Sequence, residues 1–134
     1  MKASKLFFAV SVLFALSLTL VAQQGQPKPW PIPDNYKKMK NPVPANEAST
    51  KAGMTLYTKN CASCHGKTGL GDGVKARALK TFPGDLTKPA YQSQTDGEQF
   101  YKTKFGRGEM PKYDGKIADN DIWNIVNYMR TFKK

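Results

Sequence analysis

Hydrophobic positions in this chain follow three patterns in turn. From Leu6 to Val21 they run almost unbroken, interrupted only by Ser11, Ser17 and Thr19. Lys2 and Lys5 precede that run, which gives residues 1–22 the shape of an export signal. The run is a little short for a membrane span, which takes about 20 apolar residues. Cleavage after Ala22 is the expectation. An uncleaved anchor is the alternative, because Leu20 stands where a small residue is preferred. Either way the remainder is expected outside the cytoplasmic membrane.

Residues 23–45 form the second pattern. Pro27, Pro29, Pro31, Pro33, Pro42 and Pro44 remove backbone donors and favour extended backbone, so this stretch reads as a semi-rigid linker or strap. Its few large side chains, Trp30, Ile32 and Tyr36, suit packing onto a neighbouring domain better than a purely disordered tether.

The third pattern is helical. Gly53, Leu56, Tyr57 and Cys61 share one face of a helix over 47–60, with Asn46 as its N-cap. Gly53 lowers helix propensity by about 1 kcal/mol against Ala. A glycine on that face therefore predicts a second helix crossing at close range. Residues 74–79 predict a short helix, and 82–86 a turn. Thr95-x-x-Glu98 matches a capping box. It opens a helix that carries Phe100, Tyr101 and Phe105 and stops at Gly106. The last helix is expected to begin with Asp119 as N-cap and Asp121 in its first turn. Ile122, Ile125, Val126, Met129 and Phe132 form its apolar stripe, with Trp123 and Tyr128 at the flanks, and it is the natural partner for the Gly53 face. No apolar/polar alternation is long enough to build a sheet.

Size and charge narrow the picture. The chain has 134 residues, and without signal and strap roughly 90 remain, a size at which burial alone is marginal. The formal charge is +11, and +9 once Lys2 and Lys5 are removed with the signal. Such a surface steers association with acidic partners. Its lysines are scattered and no nucleic-acid motif is present, which speaks against nucleic acid. A basic face that serves only solubility is the plainer alternative.

The chemistry concentrates in Cys61-Ala62-Ser63-Cys64-His65. Two thiols about one helical turn apart suit thioether bonds to the two vinyl groups on one edge of a haem, and the histidine that follows suits the iron. A structural zinc site needs four ligands, and Cys61, Cys64 and His65 are the only cysteines and histidine in the chain. A thioredoxin-like pair would want a βαβ pattern, which is absent. With two cysteines in all, one haem c is the ceiling. The loop that follows, with Gly66, Gly69, Gly71 and Gly73, lacks the strand and the Gly-Lys-Ser/Thr ending of a phosphate loop. It reads as backbone wrapping the His65 side of the ring, where a carbonyl is expected to orient the imidazole.

His65 is the only histidine, so the second axial position is left to methionine, lysine, water or nothing. Of five methionines, Met1 is the initiator, Met39 lies in the strap, and Met54 and Met129 fall in predicted helices. Met110 alone sits in a non-helical loop, between glycines and Pro111, which biases it toward an extended conformation. It is the candidate second ligand. The competing reading is a methionine that caps a surface loop.

Taken together, Gly53 and Tyr57, the Cys61–His65 motif with Gly66, the Gly71-Asp72-Gly73 loop, Met110-Pro111 and a final helix with Tyr128 and Arg130 stand in the order of a known family. Residues 46–134 resemble a class I c-type cytochrome of the bacterial monohaem kind. The resemblance implies a small all-α domain whose N- and C-terminal helices cross around one covalent haem, with Gly53 and Tyr128 at the crossing. It implies His65 and Met110 as axial ligands and Cys61 and Cys64 as attachment points. The expected role is single-electron transfer outside the cytoplasmic membrane, in the periplasm, and not catalysis. A His/Met pair closes both axial sites, and methionine raises the reduction potential. Acidic-surfaced redox proteins such as an oxidase, a reductase or a quinol-oxidising complex are the expected partners, met by lysines such as Lys67, Lys75, Lys104 and Lys112. An uncleaved N-terminal segment would tether the domain to the membrane. The alternatives are a haem subunit of a larger respiratory complex, with the same chemistry and a permanent partner, and an open-site haem enzyme or gas sensor.

Overall fold

Two helices set the frame. In a computed structural model describing residues 29–134, the segment Glu47–Asn60 (helix α2) crosses the segment Asp119–Arg130 (α6). A single turn at Asp34–Lys37 (α1) precedes them, and between them in sequence come single turns at Ala62–His65 (α3) and Pro89–Gln92 (α4) and the helix Asp96–Phe105 (α5). Ile32–Lys134 make up one compact unit. The expected signal over 1–22 and residues 23–28 of the expected linker lie outside the described residues.

The crossing sits at Gly53. A methyl group there would run into the Asn124 carbonyl and come within 3.0 Å of Tyr128 Cβ, so only glycine lets the two backbones meet. Tyr57, one turn further on, is fully buried and meets the rings of Tyr128 and Phe132 edge-on, each at 5.3 Å. On the other side of α6, Trp123 stacks on Phe100 of α5 at 4.0 Å. Tyr57, Leu86, Phe100, Ile122, Trp123, Ile125, Val126 and Met129 form the core. Aromatic pairs of this kind stabilise beyond their buried area by about 0.5–1.5 kcal/mol each.

The helix ends follow local chemistry. Asn46 and Ser49 cap α2 reciprocally, and Thr95 and Glu98 do the same for α5. Gly106, with φ of 58°, ends α5. The N-cap of α6 is Ala118, with Asp119 inside the first turn, which corrects the expected cap. The reason is that the Asp119 carboxylate takes Lys104 Nζ at 2.7 and 2.9 Å. The short helix expected over 74–79 is only a 3-10 turn at Ala76–Ala78. Its entry is pinned elsewhere, because Gly73 and Lys75 donate their N–H groups to Cys64 and Ser63.

The later part of the strap is built into the compact unit. Ile32 is buried, and Tyr36 lies edge-on to Tyr101 and Phe105 of α5. Asn41 Nδ2 donates to Asn127 Oδ1 at 2.8 Å, and Asn127 Nδ2 donates to Ser49 Oγ at 3.1 Å and to the Val43 carbonyl at 3.2 Å. This part-buried amide pair fastens residues 41–43 across both α2 and α6. Arg130 fastens the far end of α6. Its Nε donates to Asp96 at 2.8 Å and its Nη1 to the Gln92 carbonyl at 2.8 Å.

Candidate haem attachment site

Cys61 ends α2 and opens the single turn α3. Its carbonyl accepts from Cys64 N–H at 3.1 Å and from His65 N–H at 3.0 Å. That one turn carries both thiols and the imidazole. Gly66, with φ of 78°, then reverses the chain into a region where side chains are strained, and a methyl group there would strike the Asp72 carboxylate. The glycine loop folds back along the turn it has just left. Gly71 N–H donates to the His65 carbonyl at 2.8 Å, Gly73 N–H to Cys64 at 3.2 Å and Lys75 N–H to Ser63 at 2.8 Å. Tyr57 locks this arrangement to α2, its buried hydroxyl donating to the Gly66 carbonyl at 2.9 Å.

The surroundings of the thiols are apolar and aromatic. Both cysteines are free and half-buried. Burial, and then the neighbouring Cys64, push the Cys61 thiol up to about 12. Tyr57, Tyr91 and Tyr113 all stand close enough to feel Cys61, and burial is the main cause that raises each phenol, Tyr113 to about 12. Burial also holds His65 below its ordinary value, so the imidazole is neutral at pH 7, the form that binds iron. Its Nδ1 is buried and has no hydrogen-bond partner among the described residues. The loop carbonyl expected to orient the imidazole is therefore not found at Nδ1 among the described residues, which corrects that expectation; the nearby Gly66 carbonyl accepts from the Tyr57 hydroxyl instead. Two thiols one turn apart, a neutral imidazole beside them and an apolar aromatic setting fit a covalently attached haem. They do not fit a structural zinc site, since no group of three or more His, Cys, Asp or Glu side chains suited to a metal ion occurs among the described residues.

Met110 lies in a tight turn after α5. Arg107 N–H donates to the Met110 carbonyl at 3.1 Å and Met110 N–H to the Arg107 carbonyl at 3.0 Å. Gly106 is required beneath this turn, where a methyl group would collide with the carbonyls of Met110 and Pro111. Past Pro111, the N–H groups of Tyr113 and Asp114 donate to the Lys104 carbonyl, each at 2.9 Å. Tyr113 then reaches the end of α2, its hydroxyl donating to the Asn60 carbonyl at 2.7 Å. The loop that carries Met110 is thereby joined to the residue preceding Cys61, and Met110 itself is half-buried.

Two contacts at the site had no signal in the sequence pattern. One is Tyr57 to Gly66. The other is Glu109, whose Oε1 accepts from Lys80 N–H and Oε2 from Thr81 N–H, both at 3.0 Å. Among the lysines expected to face a partner, Lys67, Lys75 and Lys112 are exposed. Lys104 is instead held by Asp119, with Asp114 at 3.7 Å.

Comparison with known proteins points the same way as the geometry. A family profile described as cytochrome c oxidase, cbb3-type, subunit III, matches residues 48–129. Among curated proteins, the chain is 30% identical over 93 residues to cytochrome c6 of a Picosynechococcus species, covering 65% of this chain and 76% of that protein. It is 27% identical over 82 residues to cytochrome c6 of Bumilleriopsis filiformis, covering 61% of this chain and 90% of that protein. Among solved structures, the KustC0563 c-type cytochrome superposes with a TM-score of 0.54 at 25% identity, covering 61% of this chain and 98% of that one. A chain of the Kuenenia stuttgartiensis reducing HAO-like protein complex Kustc0457/Kustc0458 shares the fold, with a TM-score of 0.65 at 20% identity, covering 84% of this chain and 53% of that one.

Proposed function

The chain belongs to the c-type cytochrome family, and from that premise we propose that it is a monohaem electron carrier acting outside the cytoplasmic membrane, with His65 and Met110 as axial ligands. Proteins of this family hold haem c covalently, and Cys61-Ala62-Ser63-Cys64-His65 fits the attachment motif. When bound, the haem supplies a one-electron iron couple. The observation that carries the reading is the α3 turn, which presents two thiols and a half-buried imidazole together.

The residues divide the work. Cys61 and Cys64 fix the group to the chain. His65 supplies the proximal nitrogen, and the glycine loop bonded along 63–65 keeps the turn from rotating. Tyr113, anchored on Asn60, supports placement of the Met110 loop next to the same turn. Met110, with a soft thioether, favours the reduced iron and raises the potential. With His65 and Met110 both holding the iron, no position would be left for a substrate, and the chemistry supplied would be one-electron transfer.

The charge supports a partner of opposite sign. Lys67 and Lys75 are exposed on the loop that wraps the site, and the formal charge is +11. An acidic-surfaced oxidase, reductase or quinol-oxidising complex suits that surface. The basic, then apolar, residues 1–22 support export to the periplasm. Among the described residues no helix is long and apolar enough to cross a membrane. The description of the matched family profile as an oxidase subunit favours a second reading, a haem subunit fixed in a larger complex. Retention in membrane fractions after a high-salt wash would select it over the shuttle.

The test is the absorption spectrum of the purified holoprotein. We expect a low-spin haem with the weak far-red methionine-to-iron band in the ferric form, lost in Met110→Ala. A high-spin spectrum, or ready carbon monoxide binding by the reduced form, would contradict the closed carrier and promote an open-site enzyme or sensor.

A further inference from the structure

We propose that Glu109 is a positioning residue for Met110, its carboxylate tying the Met110 loop to the 80–81 segment so that the thioether stays in place. This rests on the reading of Met110 as an axial ligand.

The contact is specific in form. Each carboxylate oxygen accepts one of two consecutive backbone N–H groups, Lys80 through Oε1 and Thr81 through Oε2, both at 3.0 Å and across 29 and 28 residues of sequence. Two separate acceptor oxygens are needed for this, and a carboxylate supplies them where an amide has one. The acceptor is charged, which makes such bonds stronger than neutral ones.

Glu109 is rigidly coupled to Met110. Both lie in the turn closed by the reciprocal bonds between Arg107 and Met110, at 3.1 and 3.0 Å. Gly108, with φ of 58°, completes that turn. Movement of Glu109 therefore moves the Met110 backbone. The far flank of the loop is fixed separately, by Tyr113 and Asp114 on the Lys104 carbonyl and by Tyr113 on Asn60. Glu109 holds the flank next to the ligand. Its side chain is exposed and outside the core, so its removal loosens the loop while the helices stay packed.

The experiment uses the ferric holoprotein with imidazole as a competing ligand, and follows the far-red band during titration. Wild type, Glu109→Ala, Glu109→Gln and Met110→Ala are compared, each with its thermal midpoint. Glu109→Ala is expected to keep the band in the absence of imidazole, to bind imidazole about tenfold more tightly than wild type, and to melt within a few degrees of it. Glu109→Gln, which keeps one acceptor, is expected to fall between them. Wild-type imidazole affinity in Glu109→Ala overturns the positioning role. A gain in imidazole affinity that comes only with a large drop in melting temperature overturns it too, since that is the mark of a general structural role. If Glu109→Ala yields no holoprotein, Glu109→Gln decides, with unchanged affinity counting against the proposal. An unchanged spectrum in Met110→Ala would show that the ligand assignment itself had failed, and the proposal with it.

Discussion

Replacing Gly53 by alanine places a methyl group where α2 and α6 touch. The added carbon would lie 2.5 Å from the Asn124 carbonyl carbon and 3.0 Å from Tyr128 Cβ. Both neighbours are rigid, one of them backbone, so the helices must move apart. Overpacking of this kind costs about 1–3 kcal/mol, and backbone contact puts it at the upper end. Alanine regains about 1 kcal/mol of helix propensity. The net expectation is a loss of about 2 kcal/mol, hence a fall of about 8–16 °C in Tm for a domain of this size. Thermal and urea unfolding of the holoprotein, followed by far-UV circular dichroism, measures it. Met54→Ala, on the same helix but with Met54 44% exposed, is the control and should stay within about 0.5 kcal/mol. A Gly53→Ala protein as stable as wild type would refute the close crossing.

Tyr57→Phe keeps the ring contacts with Tyr128 and Phe132 but leaves the buried Gly66 carbonyl without its 2.9 Å donor. It should cost about 1–2 kcal/mol in urea unfolding, and no change would show that the carbonyl finds another partner. Asp119 raises the Lys104 ammonium above its ordinary value, first by hydrogen bonding. A raised folded value stabilises fully below the unfolded pKa, about 10.4, and the gain disappears as pH climbs through the folded value. Wild type should therefore exceed Asp119→Asn in Tm at pH 8 and converge with it as pH climbs past the raised Lys104 value. A constant gap would deny the pairing. For steering, oxidation of the reduced protein by anionic ferricyanide should slow with rising ionic strength, while oxidation by a cationic cobalt tris-phenanthroline should quicken. Equal salt dependence for the two would remove the basic face from the account.

The parts of the fold that rest on short-range chemistry were legible in the chain. The Asn46 and Thr95 caps, the stop at Gly106 and the apolar stripe of α6 depend on residues within a turn of one another. Gly53 was legible because a glycine on an apolar helical face has few other uses. The thiol and imidazole turn was legible because its spacing is local. What escaped depends on pairs far apart in sequence. Asn41 and Asn127 are 86 residues apart and look like ordinary polar positions until the strap lies across α6. Glu109 reads as a loop charge until the 80–81 segment arrives beside it. Asp119 carries the chemistry of a cap, and only the approach of Lys104 shows why Ala118 takes that place.

The most direct test of the account is the intact mass of the purified protein under denaturing conditions, after extraction with acidified organic solvent. The account predicts a mass raised by one haem, with the haem absorption remaining on the polypeptide, and extractable haem in Cys61→Ala, Cys64→Ala. A wild-type mass equal to the bare polypeptide, with all haem in the solvent or none at all, would contradict the assignment of Cys61 and Cys64 on which the site is built.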